Sequence, residues 1–176
     1  PIKKNLVDEI WKRKIKKKIN KFYNLPNYSV GFDYVDKVKK VVSFIKKQDA
    51  DYQFISASEN NAWLLNIRGR DTDYTPIPFS YILINKNKKI KFFFVLKKIN
   101  EALRRKFNYI EFIQTELVGK VLSNINKKKF IIDKDTCSYY FENIILKNNT
   151  IISLNDPIYK FKAIKSKGEI QNIKKA

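Results

Sequence analysis

Apolar and polar residues follow helical or strand periods along most of the chain, and these periods predict its secondary structure. The clearest helix opens at Asp36, an aspartate in the position of an N-cap. The apolar residues of this helix recur at helical spacing and form one side of it, namely Val38, Val41, Val42 and Ile45. The opposite, solvated side is covered by lysines, namely Lys37, Lys39, Lys40, Lys46 and Lys47. The pattern therefore predicts an amphipathic helix with one buried face.

Strands and further helices alternate after this first helix. The predicted strands are 52–57, 79–85, 89–96, 109–113, 129–133 and 150–154. The predicted helices are 59–66, 99–107, 116–125, 138–146 and 159–176, the last with a break at Gly168. A tight connection, Lys86-Asn87-Lys88, joins two consecutive strands as a hairpin. This order predicts an α/β domain whose mixed β-sheet is flanked by helices.

The chain divides into three predicted segments. Residues 1–35 are a linker or entry segment of irregular structure, in which 28–32 has an extended pattern and 12–18 is a basic, solvated connector. One short amphipathic turn within this segment is predicted from Leu6, Val7, Ile10 and Trp11. Residues 36–160 form the α/β domain, and residues 161–176 continue from it as a helix.

The residue inventory excludes several kinds of catalytic site. The chain has no histidine and a single cysteine, Cys137, which excludes Cys–His pairs, Ser–His–Asp triads and thiolate zinc cages. Carboxylates alone would still hold Mg²⁺. The 17 acidic residues are scattered, however, so a Mg²⁺-dependent phosphoryl-transfer enzyme is an alternative for which the sequence offers no candidate site.

A formal net charge of +20 makes a basic module that binds nucleic acid or another polyanion a second alternative. The excess is mostly lysine spread along the whole chain, together with many Asn, Ile, Phe and Tyr residues, which is typical of a genome rich in A/T codons. Nucleic-acid readers more often concentrate arginine, glycine and aromatic residues on one face. Nucleic acid is therefore the less favoured partner.

The sequence also bears on location. No segment reaches the ~20 apolar residues of a membrane span, and the first residues lack the apolar stretch of a signal peptide. A single cysteine gives no sign of an oxidising compartment. We therefore expect a cytoplasmic protein without a membrane partner. Because the chain starts with Pro1 rather than Met, we expect it to begin inside a longer protein.

One stretch carries a specific resemblance. Residues 62–69 read Ala-Trp-Leu-Leu-Asn-Ile-Arg-Gly, and they are followed by Asp71, Pro76 and Phe79-Ser80-Tyr81. This stretch resembles the second creatinase-like domain of three-domain Xaa-Pro aminopeptidases, which has Ala-Trp-Leu-Leu-Asn-Leu-Arg-Gly-Ser-Asp and then Asn-Pro-Val-Phe-Phe-Ser-Tyr. Residues 5–11 and 156–169 resemble the same family, so the resemblance covers nearly the whole chain. The departures are Arg70, Thr75 and Pro78, and they bear on the loop conformation.

The resemblance implies a fold and a function. Creatinase N-terminal-like domains have a mixed sheet flanked by helices, reminiscent of ribonuclease H but without its carboxylate cluster, so no nuclease activity follows. Full-length relatives remove the N-terminal residue of peptides whose second residue is proline. Their two divalent metal ions, usually Mn²⁺, are held in a separate C-terminal domain. The resemblance thus implies that this chain alone is inactive, with no catalytic, cofactor-binding or metal-binding residue.

The resemblance also implies partners. These are the other domains of the same protein, toward which residues 161–176 would lead, and a second copy in a homodimer. The domain would connect its neighbours, support the dimer and help to enclose the active-site cleft, where alone it would meet a peptide substrate.

Four residues of the motif are candidates for a loop or interface role, namely Trp63, Arg68, Asp71 and Tyr81. Trp63 is a large apolar residue expected to pack its helix against the sheet. Arg68 and Asp71 either fix the loop, through an ion pair or hydrogen bonds to carbonyls, or lie at an interface beside the cleft. Gly69 is expected to provide a backbone conformation or a close approach that a Cβ would obstruct.

Overall fold

A computed structural model describes residue 10 and residues 19–175 of the chain. The turn predicted around Leu6, Val7 and Trp11 and the basic connector 12–18 lie outside the described residues. Within the described part, every helix is too short or too polar to cross a membrane.

The described chain folds around a six-stranded sheet with the order β6-β5-β4-β2-β7-β8. These strands are β2 (Tyr52–Ile55), β4 (Tyr81–Asn85), β5 (Ile90–Phe94), β6 (Ile110–Gln114), β7 (Lys129–Ile132) and β8 (Thr150–Ser153). Strand β4 is antiparallel to both of its neighbours, and the other five strands are parallel to one another. A separate two-stranded antiparallel sheet pairs β1 (Tyr23–Asn24) with β3 (Ile67–Arg68). The predicted mixed sheet and its hairpin are therefore confirmed.

Helices cover the sheet. They are α1 (Tyr34–Lys47), α2 (Ser58–Leu65), α3 (Glu101–Lys106), α4 (Val118–Ser123), α5 (Tyr139–Leu146), α6 (Ile158–Ala163) and α7 (Lys167–Lys175). Short 3₁₀ turns occupy Asn27–Ser29, Leu96–Lys98 and Thr115–Leu117. The strands of the six-stranded sheet and most helices lie within a few residues of their predicted positions, whereas the short strands β1 and β3 were not predicted.

Strand periodicity places the core on both faces of the sheet. On β5, Phe92 and Phe94 face the cluster that packs α1 and α2, whereas Phe93 faces the cluster that packs α4 and α5. Because successive strand residues point to opposite faces, the apolar run Phe92–Phe94 of β5 is buried on both sides of the sheet. Phe22, which precedes β1, is also buried, with its ring centroid 5.2 Å from that of Phe94.

The first long helix begins earlier than predicted. Asp33, not Asp36, is its N-cap, since the Asp33 carboxylate accepts a hydrogen bond from the backbone N–H of Val35 at 2.9 Å. Asp36 lies in the first turn and pairs with Lys39 at 2.8 Å. The apolar stripe extends back to the buried Tyr34, one turn before Val38, and this extension draws the helix start to Asp33.

Two further predictions are wrong. Residues 28–32 are not an extended stretch, because Asn27–Ser29 form a 3₁₀ turn and Gly31 has a φ of 61°. The C-terminal helix breaks at 164–166 rather than at Gly168, which lies inside α7. The cause is a capping box in which Ser166 and Glu169 exchange hydrogen bonds of 2.8 and 3.2 Å and start a new helix.

Candidate functional site

The loop 69–80, which joins β3 to β4, is held from inside by Asp71. One carboxylate oxygen of Asp71 accepts a hydrogen bond from the backbone N–H of Phe79 at 2.7 Å, and the other pairs with the ammonium of Lys98. The Asp71 and Lys98 side chains are only 7% and 11% exposed. Lys98 closes the 3₁₀ turn that follows β5, so this ion pair ties the loop to the end of a central strand.

Arg68 fixes the beginning of the same loop through different partners. Its Nη1 donates to the carbonyls of Ala62 at 3.2 Å and Ile67 at 2.8 Å, which joins α2 to β3. Burial lowers the pKa of the Arg68 guanidinium from its ordinary value. Arg68 thus makes hydrogen bonds to carbonyls, as one of the two predictions had it, whereas the ion pair of Asp71 is with Lys98 and not with Arg68.

Trp63 lies beside a buried lysine. The ammonium of Lys37 donates to the carbonyl of Trp63 at 3.0 Å and to Oδ1 of Asn66 at 2.5 Å. It also lies 4.2 Å from the centroid of the Trp63 ring, as in a cation–π contact. Lys37 is 2% exposed, so its placement on the solvated face was wrong. These acceptors lie at the C-terminal end of α2, where the backbone carbonyls have no partner within the helix and Asn66 adopts a left-handed conformation with a φ of 56°. Lys37 therefore finds its hydrogen-bond partners inside the fold.

Tyr81 opens β4 and belongs to an aromatic cluster on the face of the sheet covered by α5. Its ring stacks on Phe54 with centroids 5.8 Å apart and meets Phe141 edge-on at 5.2 Å. This packing gives Tyr81 a role in positioning the end of the loop, next to the residues that Asp71 holds.

Asp156 is at the centre of a buried polar cluster. Its carboxylate accepts hydrogen bonds from the side chains of Gln53 at 3.0 Å and Asn60 at 2.7 Å, and from the backbone N–H of Ile158 at 3.0 Å. Its own backbone N–H donates to Asp133 at 2.9 Å. Burial raises the pKa of the Asp156 carboxyl, although these hydrogen bonds oppose the rise. The cluster connects β2, α2 and α6.

The described carboxylates do not fit a metal centre. No three His, Cys, Asp or Glu side chains in residues 19–175 lie close enough together to hold a metal ion. Asp133 and Asp156 are neighbours, but their carboxylate oxygens already accept hydrogen bonds from the chain. A pair of divalent ions would need several carboxylates with free oxygens.

Comparison with known proteins identifies the family. Residues 13–169 match the profile of the Creatinase/Prolidase N-terminal domain. The chain belongs to this family. The chain is also 32% identical over 160 residues to Xaa-Pro aminopeptidase 1 of Dictyostelium discoideum, a match that covers 89% of this chain and 25% of that protein. It is 31% identical to Xaa-Pro aminopeptidase ApepP of Drosophila melanogaster, covering 97% of this chain and 28% of that protein.

Solved structures show the same fold. An X-prolyl aminopeptidase from Caenorhabditis elegans, described as a cytosolic enzyme with a di-nuclear active site, superposes with a TM-score of 0.87 at 23% identity. That match covers 98% of this chain and 29% of the nematode protein. An Xaa-Pro dipeptidase from Bacillus anthracis superposes with a TM-score of 0.59 at 17% identity, covering 82% of this chain and 40% of the dipeptidase. This creatinase-like domain thus spans about a quarter of the Xaa-Pro aminopeptidases it matches.

Sequence reasoning missed three residues that build the site. Lys98 and Lys37 are two of many lysines, and nothing in the local pattern separates them from the solvated ones. Asp156 did stand in a segment with family resemblance, and an Asp-Pro pair after a strand is a signal for a capped helix start. Its buried partners Gln53 and Asn60 are distant in sequence and carried no signal.

Backbone atoms of residues 77 and 78 approach Gly69 closely, and a close approach was one of the two reasons predicted for this glycine. An added Cβ would lie 2.7 Å from Cα of Pro78 and 2.9 Å from the carbonyl oxygen of Ile77, both backbone atoms. Gly69→Ala is therefore expected to lower the free energy of unfolding by about 1–3 kcal/mol, because the loop backbone must shift. Urea unfolding of the purified chain measures the change.

The matched control is Gly168→Ala. At Gly168 the nearest atom to an added Cβ is the carbonyl oxygen of Tyr28 at 3.7 Å, which is ordinary contact, and the residue lies in α7. This change is expected to raise stability by about 0.5–1 kcal/mol. Equal effects of the two substitutions would contradict a steric role for Gly69.

Lys37 gives the domain a pH-dependent stability. Burial lowers the pKa of Lys37 from 10.5 to about 8 in the folded chain. Between these two values the unfolded chain binds more protons than the folded chain, so the contribution of Lys37 to stability rises with pH. The free energy of unfolding of the wild type is thus expected to increase relative to that of Lys37→Met as pH rises above about 8.

Urea titrations of both proteins across this pH range provide the test. Lys47→Met, at an exposed position in the last turn of α1, controls for the loss of one surface lysine. Parallel pH profiles of the wild type and Lys37→Met would contradict the assignment of a buried, titrating lysine.

Proposed function

We propose that this chain is a non-catalytic domain of an Xaa-Pro aminopeptidase, a metallopeptidase that removes the N-terminal residue before a proline. The observation that carries the proposal is the match to Xaa-Pro aminopeptidases of which the chain spans about a quarter. The absence of a metal-binding group in residues 19–175 is consistent with a catalytic centre elsewhere in the parent protein. That centre would hold two divalent ions, Mn²⁺ in our proposal, and the parent enzyme would be cytoplasmic.

In the parent enzyme the domain connects its neighbours, supports a homodimer and forms part of the wall of the active-site cleft. The loop 69–80 is suited to such a role because internal contacts at Arg68 and Asp71 hold it in place. A wall that is rigid before substrate binds loses little conformational entropy when a peptide enters the cleft. Tyr81, which directly follows this loop, holds its end through the stacking of its ring on Phe54.

Tyr74 is the part of the loop that we assign to the contact with a neighbouring domain. Its side chain is fully exposed, and its φ is 65°, a left-handed conformation that is unfavourable for an aromatic residue. A strained backbone that presents a large apolar ring to solvent is typical of a binding position.

The first test of this function is a peptidase assay on short Xaa-Pro peptides with added Mn²⁺. The chain alone is expected to show no cleavage, because its described residues offer no metal site, and the complete gene product is expected to cleave. The control is an Xaa-Ala peptide of equal length, which the complete protein should leave intact. Cleavage by the chain alone, or an inactive complete protein, would show the proposed function to be wrong.

The second test concerns Tyr74. Asparagine tolerates the left-handed conformation, so Tyr74→Asn is expected to leave the stability of the isolated chain unchanged or slightly higher. In the complete protein the same change is expected to lower kcat/KM for an Xaa-Pro peptide about tenfold, since misplacement of a cleft wall weakens substrate positioning.

Tyr139→Asn is the matched control, because Tyr139 is 78% exposed and lies in the first turn of α5, outside the loop 69–80. Its effect on kcat/KM is expected to be within about twofold of the wild type. If both variants lower activity equally, or if Tyr74→Asn has no effect, Tyr74 does not contact the rest of the enzyme.

A further inference from the structure

We infer that a groove on the opposite edge of the sheet from loop 69–80 binds an acidic polypeptide segment that inserts one apolar side chain. The groove lies between the first turns of α1, the hairpin connecting β4 to β5, and the start of β6. Its volume is about 370 Å³. The inference goes beyond the proposed peptidase function and does not depend on it.

The floor of the groove is apolar and already formed. Val38, Ile90 and Ile110 are each 6% exposed and make up the floor, and the half-exposed Val35 forms one wall. Tyr109, which is 82% exposed, stands at the rim. A pocket of this kind, with buried aliphatic residues below and one aromatic ring beside it, accepts an apolar anchor from a partner.

Contacts of Tyr34 fix the wall of the groove that the first turn of α1 forms. The hydroxyl of Tyr34 donates to the carbonyl of Lys106 at 3.2 Å, and its ring meets Phe107 edge-on with centroids 5.1 Å apart. The first turn of α1 is therefore fixed to the end of α3. A partner does not have to order this wall on binding, which removes one entropic cost.

The charges at the rim select the partner. Lys39, Lys88 and Lys89 line the groove, and none of the described residues that line it is acidic. Lys39 is paired with Asp36 at 2.8 Å, whereas Lys88 and Lys89 form no ion pair within the described part of the chain. Two adjacent cations without a partner, beside an apolar pocket, are complementary to a segment that carries carboxylates on either side of an apolar residue.

The groove is separate from the loop. β5 and β6 are parallel, so their first residues lie at one edge of the sheet, together with the hairpin at 86–89. The antiparallel β4 starts at the other edge, where loop 69–80 ends. A segment bound in the groove therefore leaves the loop accessible to the rest of the parent protein.

An acidic polypeptide fits the groove better than a nucleic acid does. Single-stranded nucleic acids are held by series of exposed aromatic rings on which successive bases stack. Here Tyr109 is the one strongly exposed ring among the described residues of the groove, and the floor below it is aliphatic.

The test uses a fluorescein-labelled peptide in which one phenylalanine is flanked on both sides by glutamates, with fluorescence anisotropy as the readout. The variant Lys88→Glu/Lys89→Glu is expected to weaken its binding about tenfold or more, because it reverses both unpaired charges. The control is Lys127→Glu/Lys128→Glu. Both double variants change the net charge by the same amount. Their positions also match, because Lys127, like Lys88, is an exposed lysine of positive φ that is followed by a second lysine and then by a strand.

The control variant is expected to change the affinity by less than about threefold. A second variant, Val35→Asp, places a carboxylate in the groove at a position near the N-terminus of α1 where an acidic residue favours the helix. It is expected to abolish measurable binding while retaining the circular dichroism spectrum of the wild type.

Three outcomes would overturn the inference. Equal weakening by both double variants would show that net charge alone attracts the peptide. Equal binding of a peptide with serine in place of phenylalanine would show that the apolar pocket is unused. Tighter binding of oligothymidylate, competing with the peptide for the same lysines, would assign the surface to nucleic acid.

Discussion

The buried ion pair between Asp71 and Lys98 is the contact on which the conformation of loop 69–80 depends. Removing two charges from water is costly, and their mutual attraction compensates only when the remaining hydrogen bonds are also made. Here the second oxygen of Asp71 accepts the backbone N–H of Phe79, so the carboxylate has partners on both oxygens. The pair is therefore a device for specifying one loop conformation rather than a large source of stability. Loss of either partner would leave the other charge buried and alone, and the loop would have to open to solvate it.

The buried carboxylate of Asp156 is also satisfied by hydrogen bonds, but no cation is in contact with it among the described residues. Three donors converge on it from Gln53, Asn60 and Ile158, and the ammonium of Lys162 reaches only the amide oxygen of Asn60 at 2.7 Å. Neutral donors lower the pKa of a carboxylate less than a direct ion pair would, which is why burial prevails at Asp156. Asp71 and Asp156 thus fix different parts of the domain, the loop before β4 and the start of α6, by different means.

The elements were predictable from the sequence because most of them follow simple periods. The apolar run Phe92–Phe94 within β5, for example, is typical of a strand that is buried on both faces. The buried polar contacts were not predictable, since Lys37 and Lys98 have the same local pattern as solvated lysines and find their acceptors only after the helices pack. The start of α1 and the break before α7 depended on which of several nearby aspartates and serines caps the helix. Side-chain geometry settles that choice at Asp33 and Ser166.

Most of the acidic residues discussed above have structural roles, and this explains two observations at once. The described residues contain no metal-binding cluster, and the surface is basic. Asp33 and Glu169 cap helices, Asp71 and Asp156 fix buried joints, and Asp133 accepts backbone N–H groups at the end of β7. With 17 acids against 37 lysines and arginines, each carboxylate placed in such a role leaves more surface cations without a partner. Isolated exposed ion pairs contribute little to stability, so the remaining lysines are not needed for the fold. They are available to attract acidic partners, and attraction becomes recognition where an apolar pocket lies between them, as it does beside Lys88 and Lys89.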